Sequence, residues 1–117
     1  MNRHKLEERL IDFTVLAIGL SENLPSSTAG KHLGGQLIRS SSSMALNYAE
    51  AQGAESRKDF KHKIKVVLKE ARESHVCLRV INKKNGFADN VIVQSVIDEA
   101  NQIVSIFVKM SKSLDDA

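Results

Sequence analysis

Apolar residues in this chain return at steps of three and four, in four long segments, and nowhere alternate with polar ones over a useful length. That period is helical, and its near-universality excludes a sheet. In the first segment Leu6, Leu10, Phe13, Ala17, Leu20 and Leu24 share one face of a helix running from Arg3 to Glu22. The only proline, Pro25, sits in the break that follows, with a serine pair able to cap the next helix. The second helix is expected from Thr28 or Lys31 to about Gln52, with Leu33, Leu37, Ser41, Met44 and Tyr48 inward. Gly30, Gly34 and Gly35 weaken its first turns by about 1 kcal/mol each relative to alanine. Ser40 to Ser43 form a run of small side chains that lets a neighbouring helix come close.

Gly53 ends the second helix, and Ser56 followed by Asp59 reads as a capping box for the third. The third helix is predicted from Arg57 to about Asn82, with Phe60, Ile64, Val67, Ala71, His75 and Leu78 on its inner face. Asn85-Gly86 supplies the left-handed position of the next turn. The fourth helix is predicted from about Asn90 to Ser113, with Val93, Ile97, Ala100, Val104 and Phe107 inward. At 117 residues the chain is one domain, residues 1–117. Four helices with short connections imply an all-α, antiparallel up-down-up-down four-helix bundle.

Two helices carry more apolar surface than one inner face needs. Val76, Cys77, Leu78, Val80 and Ile81 leave the third helix polar only at Arg79 and Asn82 over nearly two turns. Ile92, Val96, Ile103, Ile106, Val108 and Met110 widen the stripe of the fourth. A helix apolar most of the way round must be covered on more than one side. Self-association is therefore expected through the end of the third helix and part of the fourth, with Val76, Val80, Ile81, Val96 and Ile103 at the interface. A broad core in a lone chain is the alternative.

Net charge is +3, but it is unevenly spread. Arg57 to Lys84 holds ten Lys and Arg against three acids, whereas the remainder holds seven against eleven. Lys58, Lys61, Lys65, Lys69 and Arg72 fall on one line of the third helix, a candidate face for the phosphates of RNA or DNA. The other reading is a solvated helix face. Four Phe, one Tyr and no Trp leave few platforms for stacking single-stranded bases.

The single cysteine, Cys77, forms no disulfide within the chain and excludes a thiolate metal cage. The start of the chain lacks the apolar core of a signal peptide, and no unbroken apolar run reaches spanning length. A cytoplasmic protein with no membrane partner is expected. No Glu stands three residues before any histidine, as di-iron bundles require, and Gly34-Gly35 lacks the strand and lysine of a phosphate loop. No metal, cofactor or catalytic residue is assigned, and the chain is expected not to be an enzyme. Arg57 and His62 do stand at the spacing used by some helical ribonucleases of the HEPN class, which keeps an RNA-cleaving alternative open. Arg39, Asn47 and Glu50 of the second helix read as a structural polar network, with Glu73 or Arg72 of the third as partners.

The segments Gly35-Gln-Leu-Ile-Arg-Ser-Ser-Ser-Ser-Met-Ala-Leu-Asn-Tyr-Ala-Glu50, Ser56-Arg-Lys-Asp-Phe60 and Leu68-Lys-Glu-Ala-Arg-Glu-Ser74 carry a resemblance. Gln36, Leu37, Arg39, Ser43, Asn47, Glu50, Ser56, Asp59 and Phe60 match the pattern of a family. It is the four-helix-bundle family named for proteins encoded in intervening sequences of 23S ribosomal RNA genes. One departure is at Gln52: the family commonly has Gly soon after Ala-Glu, and here Gly arrives at 53. The resemblance implies an antiparallel bundle that assembles as a homopentamer, and no settled activity. A related branch, the accessory protein of diversity-generating retroelements, is a basic pentamer that binds nucleic acid and a reverse transcriptase. Three roles follow as expectations: a nucleic-acid-associated adaptor, a structural or protein-interaction bundle, and a ribonuclease.

Overall fold

Each helix begins where a short polar side chain can accept an orphan backbone N–H. Asn2 accepts from Lys5 N at 2.9 Å, Ser27 from Gly30 N at 3.1 Å and Ser56 from Asp59 N at 3.0 Å. Asp89 Oδ1 accepts from Val91 N at 2.8 Å and Ile92 N at 3.2 Å. The resulting helices are α1 (Arg3–Glu22), α2 (Thr28–Gln52), α3 (Arg57–Lys83) and α4 (Asn90–Asp116). They come from a computed structural model that describes residues 1–116. No strand occurs among the described residues.

Two details differ from the sequence reading. The Ser56 capping box is half formed, because the Asp59 carboxylate makes no return bond to Ser56 among the described residues. The fourth helix runs three residues past Ser113, to Asp116. Gly86 takes the left-handed turn, at φ +82°.

The expected inner faces of α1 and α2 are buried, apart from a half-buried Leu33. On α3 and α4 the half-buried members are Phe60, His75 and Val104. Leu10, Leu37, Met44, Ile64, Leu78, Val93, Ile103 and Phe107 are fully enclosed. Tyr48 of α2 meets Phe107 of α4 edge to face across the core, with centroids 5.6 Å apart. Contacts join α1 to α2, α2 to α3, α3 to α4 and α4 back to α1, the order of an up-down-up-down bundle. The α1–α4 seam is much the sparsest of the four. Arg9 spans it, with Nε and NH2 donating to Glu99 at 2.8 and 2.7 Å and NH2 also donating to Gln102 at 2.8 Å.

Three residues expected at an intermolecular interface belong instead to the core: Ile81, Val96 and Ile103 are 1%, 3% and 0% exposed. The physical reason is that α3 and α4 each face two neighbours, so part of their wide apolar stripes is hidden within the chain itself. By length and composition α4 could also cross a bilayer. Here its buried face, Val93, Val96, Ile97, Ile103 and Phe107, lines the bundle core, and its Glu99 is tied to Arg9.

Candidate nucleic-acid interface and assembly surfaces

The five basic residues read from α3 are not equivalent. Lys58, Lys69 and Arg72 are exposed and have no acidic partner among the described residues. Lys61 and Lys65 share one: Asp115 of α4 lies 2.9 Å from Lys61 Nζ and 3.1 Å from Lys65 Nζ. Lys65 also donates to Ser111 Oγ at 3.1 Å. Both ammonium groups pull the Asp115 carboxyl below its ordinary range, chiefly through hydrogen bonds. The stripe is thus open at both ends and occupied in the middle. Nothing in the sequence pairs position 115 with positions 61 and 65.

The expected polar network resolves into separate pieces. Arg39 NH1 meets Glu70 Oε2 at 2.9 Å, Arg39 NH2 pairs with Glu73, and Nε donates to Gln36 at 3.2 Å. Glu70, not among the network residues expected from the sequence, is 4% exposed, while its arginine is half exposed. Asn47 instead donates to Ser43 of its own helix, at 2.8 Å to the carbonyl. Glu50 pairs with Lys63 at 2.8 Å, which raises the pKa of that lysine. Arg72 has no part in the network. Glu70 had a sequence signal: it stands three residues after Val67 and four before Ser74, on the buried side of α3.

Two apolar grooves lie on opposite seams. The first, about 370 Å³, opens between α1 and α4 and is lined by Val15, Leu16, Gly19, Leu20, Ile92 and Val96 among others. Val15, Leu16 and Ile92 are 62%, 53% and 55% exposed, too much for side chains of their size to be part of the core. The second, about 440 Å³, lies between α2 and α3 around Leu33, Gln36, Arg72, Glu73, Val76 and Cys77. Val76 lines it, and Val80, one turn further along α3, is exposed beside it. The sequence reading named Val76 of the second groove and Ile92 and Val96 of the first, but not the α1 side chains Val15 and Leu16. The signal was present, since Ile11, Val15 and Ile18 form a second stripe beside the inner one of α1.

The remaining candidates have ordinary surroundings. Arg57 donates to the Leu114 carbonyl at 3.5 Å, and His62 is exposed. Cys77 Sγ donates to the Leu33 carbonyl at 3.4 Å, and burial pushes its thiol pKa up. Burial and the nearby Arg79 lower the pKa of His75. No three His, Cys, Asp or Glu among the described residues are placed to hold a metal ion.

Comparison with known proteins gives one family and one instructive structure. Residues 4–109 match the family described as 23S rRNA-intervening sequence protein. A crystal structure of a protein of unknown function from the S23 ribosomal protein family of Bacteroides thetaiotaomicron superposes with a TM-score of 0.81. It is 24% identical, covering 91% of this chain and 97% of that one, a likeness of fold. No curated protein matches.

Proposed function

The chain belongs to the family of 23S rRNA-intervening sequence proteins, and from that premise we propose that it is a non-catalytic adaptor that assembles with copies of itself and contacts nucleic acid. The observation that carries the assembly is the pair of apolar grooves on opposite seams, α1–α4 and α2–α3. Both lie in the same half of the bundle: the antiparallel order puts the ends of α1 and α3 beside the starts of α2 and α4. Two different patches on opposite sides favour a head-to-tail contact, in which each copy presents one groove to the other groove of the next. Such a contact closes into a ring when its rotation allows. The pentamer implied by the family resemblance is one such ring. A structural or protein-interaction role is the second reading, favoured by the same exposed groove residues if another chain covers them.

The nucleic-acid part rests on Lys58 and Lys69, which stand free along α3, with Arg72 at the edge of the α2–α3 groove. A ring multiplies this edge and the field around it. Binding of this kind releases counterions and weakens steeply with salt. The test is fluorescence anisotropy with short labelled RNA and DNA duplexes from about 50 to 200 mM salt. Wild type should bind with a negative log–log salt slope, and the double change Lys58→Glu, Lys69→Glu should abolish binding at the upper end. Binding that ignores salt, or that survives the double change, contradicts the proposal. We place the protein in the cytoplasm, where a lone buried thiol stays reduced.

A further inference from the structure

The middle of the α3 stripe is already occupied by an anion that belongs to the protein. Asp115 Oδ1 sits 2.9 Å from Lys61 Nζ and Oδ2 sits 3.1 Å from Lys65 Nζ. The two lysines are one turn apart, and a single carboxylate bridges them with one oxygen on each. Ser111, one turn earlier on α4 and nearly buried, holds Lys65 at 3.1 Å on the same side. Lys58 lies on one flank of this bridge; Lys69 and Arg72 lie on the other, all three without an acidic partner among the described residues.

We propose that the last turn of α4 is an electrostatic latch: Asp115 holds the place of a phosphate between Lys61 and Lys65 and must leave before a nucleic-acid backbone can use both lysines. The inference rests on the nucleic-acid reading above and adds its regulation. A backbone following the stripe meets free cations at either end and a fixed negative charge in the centre. Full engagement of five cations therefore requires exchange of the carboxylate for a phosphate, whereas partial engagement at the ends does not. The latch thus leaves contact at one end unchanged and sets a threshold only for ligands that run through the bridge to both ends.

The pair has little structural work to do. Asp115 is exposed, and ion pairs between exposed side chains contribute little to stability. It is also not a proton switch. The two ammonium groups hold its carboxyl below the ordinary range, so it stays charged throughout neutral pH. Release comes by competition with phosphate or by salt.

Asp115→Asn removes the charge and keeps the shape. Asp116→Asn removes an equal charge one position away, from an exposed residue with no ion pair among the described residues. Both variants and wild type are titrated with a short labelled RNA duplex in the same salt series, with thermal melting as a check on folding. Asp115→Asn should bind roughly threefold to tenfold tighter at low salt, the scale of a released exposed ion pair or two. Its log–log salt slope should steepen by about 1, for the additional phosphate engaged. Asp116→Asn should give a clearly smaller gain, and Tm should not move in either. Salt-sensitive binding that is equal in wild type and Asp115→Asn overturns the latch and leaves the nucleic-acid reading standing. Equal gains from the two variants also overturn it, because net charge alone then accounts for the effect. Failure of every form to bind at low salt defeats the nucleic-acid reading, and the latch with it.

Discussion

Single side chains make few but consequential polar contacts inside this bundle. Ser40 and Ser74 are both fully buried, and their hydroxyls meet at 2.7 Å between α2 and α3. Replacing Ser40 by alanine strands the Ser74 hydroxyl, which should cost about 1–3 kcal/mol; replacing Ser74 should cost less, because Ser40 keeps a long bond to the Leu37 carbonyl at 3.4 Å. The double Ser40→Ala, Ser74→Ala variant should lose less than the sum, as a denaturant double-mutant cycle would measure. Arg39 is the only cation on the buried Glu70 among the described residues. Arg39→Met should therefore destabilise by about 1–3 kcal/mol, less than loss of a fully buried partner because the guanidinium is half exposed. Glu70→Gln in the same background should recover part of that loss. His75 adds a pH dependence of definite sign. Its folded pKa lies below the unfolded value of 6.5, so the unfolded chain takes up a proton first as pH falls. Stability should drop as pH passes below about 6.5, and His75→Gln should flatten that part of the curve in melts between pH 7 and 5. At this scale the sequence was a weak guide. It offered Glu73 or Arg72 beside Arg39, of which Glu73 is the one that pairs with it, and placed Asn47 and Glu50 with them. Which polar groups meet across a seam depends on how each helix is rotated about its axis, and spacing along one chain does not encode that.

Helices were legible because their signals are local. Caps at Ser27 and Ser56, the left-handed Gly86 and the three-four spacing of core residues set the helix boundaries, which were read to within three residues. The glycines of α2 show where local rules stop. A Cβ at Gly30 would lie 2.0 Å from the Pro25 carbonyl oxygen, which the backbone of the turn cannot yield. At Gly35 a Cβ meets nothing within 4 Å. Helix propensity alone rates the two substitutions alike, at about 1 kcal/mol in favour of alanine. Gly35→Ala should stabilise by roughly that amount, while Gly30→Ala should destabilise despite it, as paired thermal melts would show. The wide stripes of α3 and α4 have the same limit. Apolar width says that a helix is covered on several sides, not whether its own chain does the covering. Ile81, Val96 and Ile103 are covered internally; Val76 and Val80 are not.

At the scale of the molecule, the chain leaves several large apolar side chains bare. The exposed large apolar side chains include Ile11, Val15 and Leu16 on α1, Val76 and Val80 on α3, and Val91 and Ile92 on α4. The sparse α1–α4 seam leaves the first groove open on one side of the bundle, and the α2–α3 groove lies on the other. An isologous dimer would bury one patch against its own copy; a head-to-tail ring buries both. The most direct test is particle mass in dilute solution, by sedimentation or native mass spectrometry, of wild type, Leu16→Lys and Val76→Lys. Wild type should be a closed oligomer and each variant, with one groove spoiled, should fall to single copies while staying folded. An equimolar mixture of the two variants should then recover a dimer, because the intact α2–α3 groove of one copy still fits the intact α1–α4 groove of the other. A folded wild-type chain that stays a single copy at micromolar concentration would contradict the account.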